Sequence, residues 1–475
     1  MAYRYGDRNQ MQFFPPCIEE YVAKDDPVRA YDAFVESLNF NELGIVAFED
    51  KVGNPGYDPK AMIKLLIYGY SYGIRSSRKL ERATCHNISF LWLMGGLKPD
   101  HKTIARFRHD NKSALKNILK QCAKLYIKLG LIEGNTLFVD GSKIRTNASI
   151  KHTWTKQRCE HYLKHIDKHI ESILSECESI DAEEENSSSI VKVNDELKDT
   201  QALKLKRETI MQELKEQNLG SINTTDPDCV KVKGRQGIHA GYNSQIVVDE
   251  KNGLIASSDV ADESNDLNQF AAQIDNANAT LGQKCKTACS DAGYAAPEEL
   301  KKIDEQSIKV IVPSQKQTYD RELKPFDKEN FPYDANKDRY ICPEGHELTY
   351  NHFCKGKNHR VYQIKDKTHC RACKHFGICT TSKAGRRLRR LQNEDIKIKL
   401  EKQYKHETSQ AIYKLRKQKV ELPFGHIKRN LGVNAFLLKG IDGVRAEMSL
   451  LASCFNIVRM INIIGVTTFA AKATG

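Results

Sequence analysis

The chain has 475 residues, of which 40% are hydrophobic and 28% are charged. That length exceeds what one ordinary hydrophobic core organises, so two or three domains are expected. Lys and Arg outnumber Asp and Glu by 74 to 61, a net charge of +13, which favours a polyanionic partner such as nucleic acid; the alternative is a merely basic soluble protein. No signal peptide is evident and no apolar run reaches the roughly 18 residues of a membrane span, so a cytoplasmic protein without a membrane partner is expected.

The first segment, residues 1–130, reads as helices. Pro59 to Tyr70 has proline in its first turn, where proline fits a helix, and its apolar residues keep helical spacing. Thr103 to Tyr126 predicts another helix or helix pair with basic side chains along it. We therefore expect a helical, basic, DNA-binding N-terminal domain.

The pattern then changes to strands, with one long interruption. Apolar, β-favouring residues lead from Thr136 to Asp140, which predicts a buried strand that ends in a carboxylate. From residue 155 to 217 the chain is rich in Lys and Glu at helical spacing. This stretch predicts two long solvated helices, which form an insertion rather than a catalytic element.

Strand patterns return at Tyr242 to Asp249 and at Leu254 to Val260, and the Lys-Asn-Gly turn between them predicts a hairpin. A helix is predicted from Leu267 to Leu281, and a second strand with an acid at its end reaches Asp291. The order of strand, hairpin, helix and strand predicts a mixed α/β sheet that resembles the RNase H-like arrangement. We expect this domain to cover 131–314 and 388–475.

Asp140 and Asp291 are the candidate metal ligands. Both come at the carboxyl end of a predicted strand, where open α/β sheets bind their ligands. Two-metal phosphoryl chemistry needs converging carboxylates, and Mg²⁺ prefers such hard oxygen ligands. Taken singly, each aspartate is also explained as a turn former or a helix N-cap.

Residues 315–387 are basic, irregular and contain Cys and His, which indicates an inserted subdomain. Cys370 and Cys373 have the spacing of a metal-binding knuckle, and Cys342 and Cys379 would complete a four-thiolate Zn²⁺ site. The alternative is a loop with free thiols. Three further residues are possible substitute ligands: His346, Cys354 and His369.

Basic residues beside this insert predict contacts to phosphate groups. The densest cluster consists of Arg386, Arg387, Arg389 and Arg390. Four N-terminal arginines could extend it: Arg75, Arg78, Arg106 and Arg108. A solvated charged surface is the alternative for any one of them.

The segment from Tyr413 to Asn430 carries the most specific pattern. Its Tyr413, Arg416, Glu421 and Lys428 resemble the Tyr-Arg-Glu-Lys signature of the DDE transposases of bacterial insertion sequences. Glu421 and Lys428 are seven residues apart and would share one helical face, although a proline and a glycine weaken that helix. Val-Asp-Gly-Ser around Asp140, Ser-Asp-Ala-Gly-Tyr around Asp291 and several N-terminal fragments resemble one large branch of the same family.

This resemblance implies an enzyme that cuts transposon ends and transfers them into target DNA. Asp140, Asp291 and Glu421 would hold Mg²⁺ or Mn²⁺, while Lys428, Arg416 and Tyr413 would contact the DNA backbone. The implied partners are double-stranded DNA, as terminal inverted repeats and target, and a second copy of the chain in a homodimer. The implied location is the cytoplasm, in association with the nucleoid. Two alternatives remain, an RNase H-like nuclease that is not a transposase and an inactive zinc-containing DNA-binding relic.

Overall fold

The structure is a computed structural model that describes residues 17–45, 56–182, 187–234, 237–318 and 323–474. Its α-helices are α1 (Pro27–Glu36), α2 (Phe40–Leu43), α3 (Pro59–Ser71), α4 (Ser77–His86), α5 (Ile88–Leu93), α6 (His101–Asp110), α7 (Lys112–Lys128), α8 (Lys156–Ala182), α9 (Ser187–Glu216), α10 (Phe270–Leu281), α11 (Pro297–Asp304), α12 (Gln315–Thr318), α13 (Lys367–Ala372), α14 (Glu394–Tyr404), α15 (Glu407–Gly425), α16 (Ile441–Ile464) and α17 (Val466–Thr474). Its strands are β1 (Thr136–Arg145), β2 (Thr153–Trp154), β3 (Ile222–Asn223), β4 (Val230–Gly234), β5 (Gly237–Asp249), β6 (Ile255–Ala261), β7 (Thr287–Cys289), β8 (Lys309–Ile311), β9 (Tyr333–Asp334), β10 (Arg339–Ile341), β11 (Glu347–Cys354), β12 (His359–Ile364) and β13 (Arg387–Leu391).

A mixed sheet lies at the centre of the fold. Its strands follow the spatial order β6, β5, β1, β7 and β8, and β4 pairs with the first part of β5. β1 is antiparallel to β5 and parallel to β7, and β7 is parallel to β8. The mixed α/β sheet and the β5–β6 hairpin predicted from the sequence are therefore confirmed.

β1 differs from its prediction in one respect that matters for the site. The strand does not end at Asp140 but continues to Arg145, because it pairs with β5 as far as Gly241. Its pairing with β7 stops at Phe138, which lies opposite Cys289. Asp140 therefore lies just past the end of β7, level with Asp291 on the neighbouring chain segment.

The N-terminal helices and the sheet share one continuous hydrophobic core. α16 lies in the middle of it and packs against α7, α3 and β6. By length and composition α16 is apolar enough to cross a membrane, but 67% of its most apolar window is buried inside the protein, as in a core helix. The helices predicted at Pro59 to Tyr70 and at Thr103 to Tyr126 are present as α3 and as the pair α6 and α7.

The charged stretch 155–217 forms the predicted pair of long helices. α8 and α9 pack against each other as a hairpin. A small separate core, which includes Trp154, Cys159 and Ile210, holds its base. Among the hairpin residues whose side chains the structure describes, none belongs to the core around the sheet.

The Cys-containing insert is built on an antiparallel sheet in the order β13, β12, β11, β10 and β9, with its own core. The sheet reaches Leu391, beyond the predicted boundary at 387. The charged run from Asn393 to Val420 predicts a single long helix, and this prediction is wrong. The chain instead forms α14 and α15 with a bend at Lys405 and His406, because α14 packs against β8 and α11 whereas α15 packs against β1 and β7.

Candidate active site

Asp140 and Asp291 come together at the end of the parallel strand pair. The Asp140 side chain is 19% exposed, and its Oδ1 lies 3.4 Å from Nη1 of Arg416 on α15. Burial raises the pKa of Asp140 to about 6; Arg416 opposes this rise, and the charge of Asp291 adds to it. Asp291 Oδ1 accepts a 2.8 Å hydrogen bond from the Gly293 amide and begins a short 3-10 helix, Ala292–Tyr294.

α15 and the π-helical turn that follows it, His426–Asn430, bring three residues of the predicted signature to this place. The guanidinium carbon of Arg416 lies 5.5 Å from the centre of the Tyr413 ring, which is half-buried beside Asp291 and Cys289. Lys428 Nζ donates to Ser142 Oγ at 2.5 Å. Because Ser142 is two residues beyond Asp140 on the same strand, both side chains face α15.

Glu421 does not join this group. Its side chain is exposed and makes no hydrogen bond or ion pair with any residue that the structure describes. α15 continues past Pro423 to Gly425, and a π-helical turn, His426–Asn430, then carries Lys428 toward β1. Such wide turns are frequent at functional sites, and this one follows a proline that removes a helical hydrogen bond.

The donor chemistry around Asp140 fits a divalent cation. Two hard carboxylates lie side by side, and the raised pKa of Asp140 reflects repulsion and burial that a cation would relieve. Across residues 17–45, 56–182, 187–234, 237–318 and 323–474, however, no three Asp, Glu, His or Cys side chains are arranged to hold an ion as they stand.

Asp266 also lies at this site, and no pattern in the sequence selects it. It lies in the loop between β6 and α10, and its Oδ1 lies 3.0 Å from Lys143 Nζ. Its charge contributes to the raised pKa of Asp140. In the sequence it is one of several acids in a polar turn, with no spacing that distinguishes it from Asp262 or Glu263.

The four predicted zinc ligands line one cavity of about 30 Å³ in the insert, together with His346 and His369. Backbone amides donate to three of the sulfurs, those of Cys342, Cys370 and Cys373. The pKa of the Cys379 thiol is raised mainly by burial, with contributions from the other three cysteines. Cys354 lines a different groove and is therefore separated from this group.

The arginine cluster divides into inward and outward residues. Arg386 donates to the carbonyls of Cys379 and Phe326, and Arg390 donates to Tyr340 and Asp395. Arg387 and Arg389 alternate with buried residues on β13 and are exposed. A strand exposes every second side chain, which the run of arginine letters could not show.

The N-terminal arginines divide in the same way. Arg75 pairs with buried Glu447 at 3.0 Å, and Arg108 donates to Tyr70, Ser77 and the Arg75 carbonyl. Arg78 and Arg106 are exposed on α4 and α6. Arg75 and Arg108 therefore hold the fold together and do not face a phosphate.

Comparison with known proteins gives two matches. Residues 16–110 match the family model described as Transposase domain (DUF772), and residues 341–461 match the Transposase DDE domain. No curated protein and no solved structure matches the chain. The second match contains Glu421 and Lys428, whereas Asp140 and Asp291 lie between the two matched ranges.

A DDE domain implies an RNase H-like fold, and the strand order around β1 agrees with it. Divalent-metal-dependent cleavage and strand transfer are general to proteins with this domain. With a transposase domain matched at the N-terminal end and a DDE domain matched at the C-terminal end, the comparisons support an insertion-sequence DDE transposase, an enzyme that acts on DNA.

Proposed function

We propose that Asp140, Asp291 and Glu421 are the acid triad of this transposase and hold Mg²⁺ or Mn²⁺. The observation that carries the proposal is the pair of aspartates just past the end of the β1–β7 pairing, one of them with a raised pKa. Glu421 lies on the helix that packs over this pair, between Arg416 and Lys428 along the chain. Because its side chain is exposed and unpaired among the described residues, it is free to turn toward the cations.

The cations, when bound, would stabilise charge on the attacking and leaving oxygens of an in-line displacement at phosphorus. Arg416 neutralises Asp140 in their absence and would release it to hold a phosphate oxygen of the DNA. Lys428, whose ammonium group donates a hydrogen bond to Ser142, would contact a second phosphate. Tyr413 stacks beside Arg416 and would hydrogen-bond the same backbone.

This proposal is tested by cleavage of a labelled duplex that carries the terminal inverted repeat, with Mg²⁺ or Mn²⁺ and with EDTA. Wild type is expected to cut at the repeat end only with metal, and Asp140→Asn is expected to bind the duplex without cutting it. Specific binding without cutting by wild type under either metal would instead indicate a DNA-binding relic. Cutting without preference for repeat ends would indicate a different nuclease.

Asp140→Asn is also expected to change the stability of the protein, and measuring this change shows that the variant is folded. An acid whose pKa is higher in the folded than in the unfolded protein lowers the free energy of unfolding at pH values above its folded pKa. This effect disappears at pH values below the unfolded pKa of about 3.9. Since the pKa of Asp140 is about 6, metal-free Asp140→Asn should unfold at a higher temperature than wild type at pH 8 and at a similar one at pH 4. The difference at pH 8 should be at most roughly 3 kcal/mol. A variant less stable than wild type at pH 8 would contradict this.

We also propose that Cys342, Cys370, Cys373 and Cys379 bind a structural Zn²⁺. The amide donors to three of the sulfurs would stabilise thiolates, and a metal would stabilise an insert whose own core is small. Cys370→Ser with Cys373→Ser should lower the zinc content from about one per chain to none and lower the melting temperature of the insert. Cys354→Ser is the matched control and should keep its zinc. Metal analysis without zinc in freshly purified, reduced wild type would contradict the site.

DNA contacts are proposed for the exposed arginines of the insert and for Arg78 and Arg106 on the N-terminal helices. Replacing Arg387 and Arg389 by alanine should weaken DNA binding and reduce the slope of log affinity against log salt by about 2. Lys164→Ala with Lys168→Ala removes the same charge from the exposed face of α8 and should change neither the DNA affinity nor its salt dependence. An unchanged slope in the arginine variant would place the DNA elsewhere.

Transposition joins two DNA ends, so we further propose that the protein acts as a homodimer on its terminal repeats and target. We propose that it works on DNA in the cytoplasm, in association with the nucleoid.

A further inference from the structure

A polar network lies on the face of β1 opposite to Asp140. Asp266 Oδ1 accepts three hydrogen bonds, from Lys143 Nζ at 3.0 Å and from the side-chain amides of Asn243 and Gln245 at 2.8 Å each. Lys143 lies on β1 directly opposite Asn243 on β5, and Gly141 lies opposite Gln245. One carboxylate oxygen of Asp266 thus links side chains of β1 and β5 next to Gly141, the residue that follows Asp140.

The network extends to the turn that carries the second acid. The hydroxyl of Tyr294, three residues after Asp291, donates to Gln245 Oε1. Tyr294 is 1% exposed and Gln245 is fully buried, so this hydrogen bond forms without competition from water. Asp266 is therefore connected through Gln245 to the Asp291 turn as well as directly to β1.

Two glycines show how closely the network surrounds both acids. A Cβ on Gly141 would lie 2.5 Å from Gln245 Nε2 and 2.8 Å from both Asp266 Oδ1 and the Tyr294 hydroxyl. A Cβ on Gly293 would lie 2.9 Å from Asp291 Oδ1 and 4.0 Å from Asp266 Oδ2. The backbone at Gly141 thus lies against the network without room for a side chain, whereas a Cβ at Gly293 would make only van der Waals contact with Asp266.

We propose that Asp266 is a positioning residue that sets the separation of Asp140 and Asp291 through Lys143, Gln245 and Tyr294. This inference rests on the proposed function, since it concerns the same two acids. Two cations about 3.5–4 Å apart tolerate little change in the spacing of their carboxylates. Asp266 also engages the Lys143 ammonium, which would otherwise compete with a cation for the neighbouring acids.

The test measures Mn²⁺ binding to the full-length protein without DNA. Binding is detected by calorimetry or by the electron paramagnetic resonance signal of free Mn²⁺. Asp266→Ala should weaken Mn²⁺ binding about 10–100-fold, as loss of groups that orient metal ligands does. It should lower kcat for cleavage while the KM and the affinity for terminal-repeat DNA stay unchanged. Asp266→Asn keeps an oxygen for the same three donors and should recover most of the binding. Asp262→Ala, an exposed acid in the same loop, is the control and should behave as wild type.

A second variant keeps the test valid if Asp266→Ala fails to fold. Tyr294→Phe removes only the hydroxyl that links the Asp291 turn to Gln245, and it should weaken Mn²⁺ binding several-fold in the same direction. Wild-type Mn²⁺ affinity in a folded Asp266→Ala or in Tyr294→Phe would overturn the proposal. So would an Asp266→Asn protein as defective as the alanine variant, because Asp266 would then be a metal ligand itself.

Mn²⁺ binding by Asp140→Asn, measured in parallel, distinguishes a failure of the proposed acid triad from a failure of the positioning role of Asp266. If it leaves Mn²⁺ binding unchanged, the acid triad itself is wrong. If it weakens Mn²⁺ binding while Asp266→Ala does not, only the positioning role fails.

Discussion

Replacing Glu421 by glutamine is expected to reduce cleavage at the repeat end roughly a thousandfold, equivalent to about 4 kcal/mol of transition-state stabilisation. Glutamine keeps the size of the side chain but loses the negative charge that a cation requires. Because the Glu421 side chain is exposed and has no hydrogen bond or ion pair among the described residues, the variant should stay within about 0.5 kcal/mol of wild-type stability. The measurement is the single-turnover cleavage rate with saturating protein and Mg²⁺.

The same helix supplies a matched control. Glu407 is also an exposed glutamate of α15 but lies in its first turn, four turns from Glu421 by helical rise. Glu407→Gln should cleave at close to the wild-type rate. DNA binding without metal should be unchanged in both variants, which separates catalysis from affinity.

Wild-type cleavage by Glu421→Gln would remove Glu421 from the triad. Asp266 would then be the next candidate for the third acid, since it is the carboxylate that already lies near Asp140 and Asp291. Loss of DNA binding together with cleavage would instead indicate that Glu421 supports the DNA-facing surface of α15. Either result would change the assignment of residues but not the two matches to transposase domains.

The second large effect is expected at Glu447, on α16. Its side chain is fully buried, with Oε1 3.0 Å from Arg75 Nη1 and Oε2 accepting from the amides of Leu437 and Leu438. Burial raises the pKa of Glu447, and these donors oppose the rise. Glu447→Ala would remove the partner of the largely buried Arg75 guanidinium and the acceptor of two partly buried amides, so a loss of roughly 3–5 kcal/mol of unfolding free energy is expected. Urea denaturation followed by circular dichroism measures it.

Arg78→Ala is the control for Glu447→Ala, because Arg78 is an exposed arginine on α4 close in sequence to Arg75. It should change the unfolding free energy by no more than about 0.5 kcal/mol. The ion pair joins the N-terminal helices to the C-terminal part of the catalytic domain. Glu447→Ala should therefore also expose both parts to protease at lower urea concentrations than wild type. Unchanged stability would mean that the surrounding core alone holds these parts together.

The sequence by itself determined most of the fold. Runs of apolar, β-favouring residues located β1, β5 and β6, and a Lys-Asn-Gly turn located the β5–β6 hairpin, because these signals depend on neighbouring residues alone. The charged helices α8 and α9 and the proline-started helix α3 were identified for the same reason. The signature of Arg416, Glu421 and Lys428 identified the family before any contact was known, and the DDE domain match confirmed it.

Tertiary structure decided what each polar residue contacts. On β13, Arg390 turned inward while Arg387 and Arg389 turned outward, because a strand alternates its faces; Arg386, just before the strand, also turned inward. β1 ran past Asp140 because β5 supplied a partner along its whole length. Asp266 reached the active site from a loop more than 120 residues away in sequence from Asp140, and no local pattern encodes a contact of that kind. Spacing along the chain reveals which chemistry is present, whereas the pairing of strands and the packing of helices decide which atoms meet.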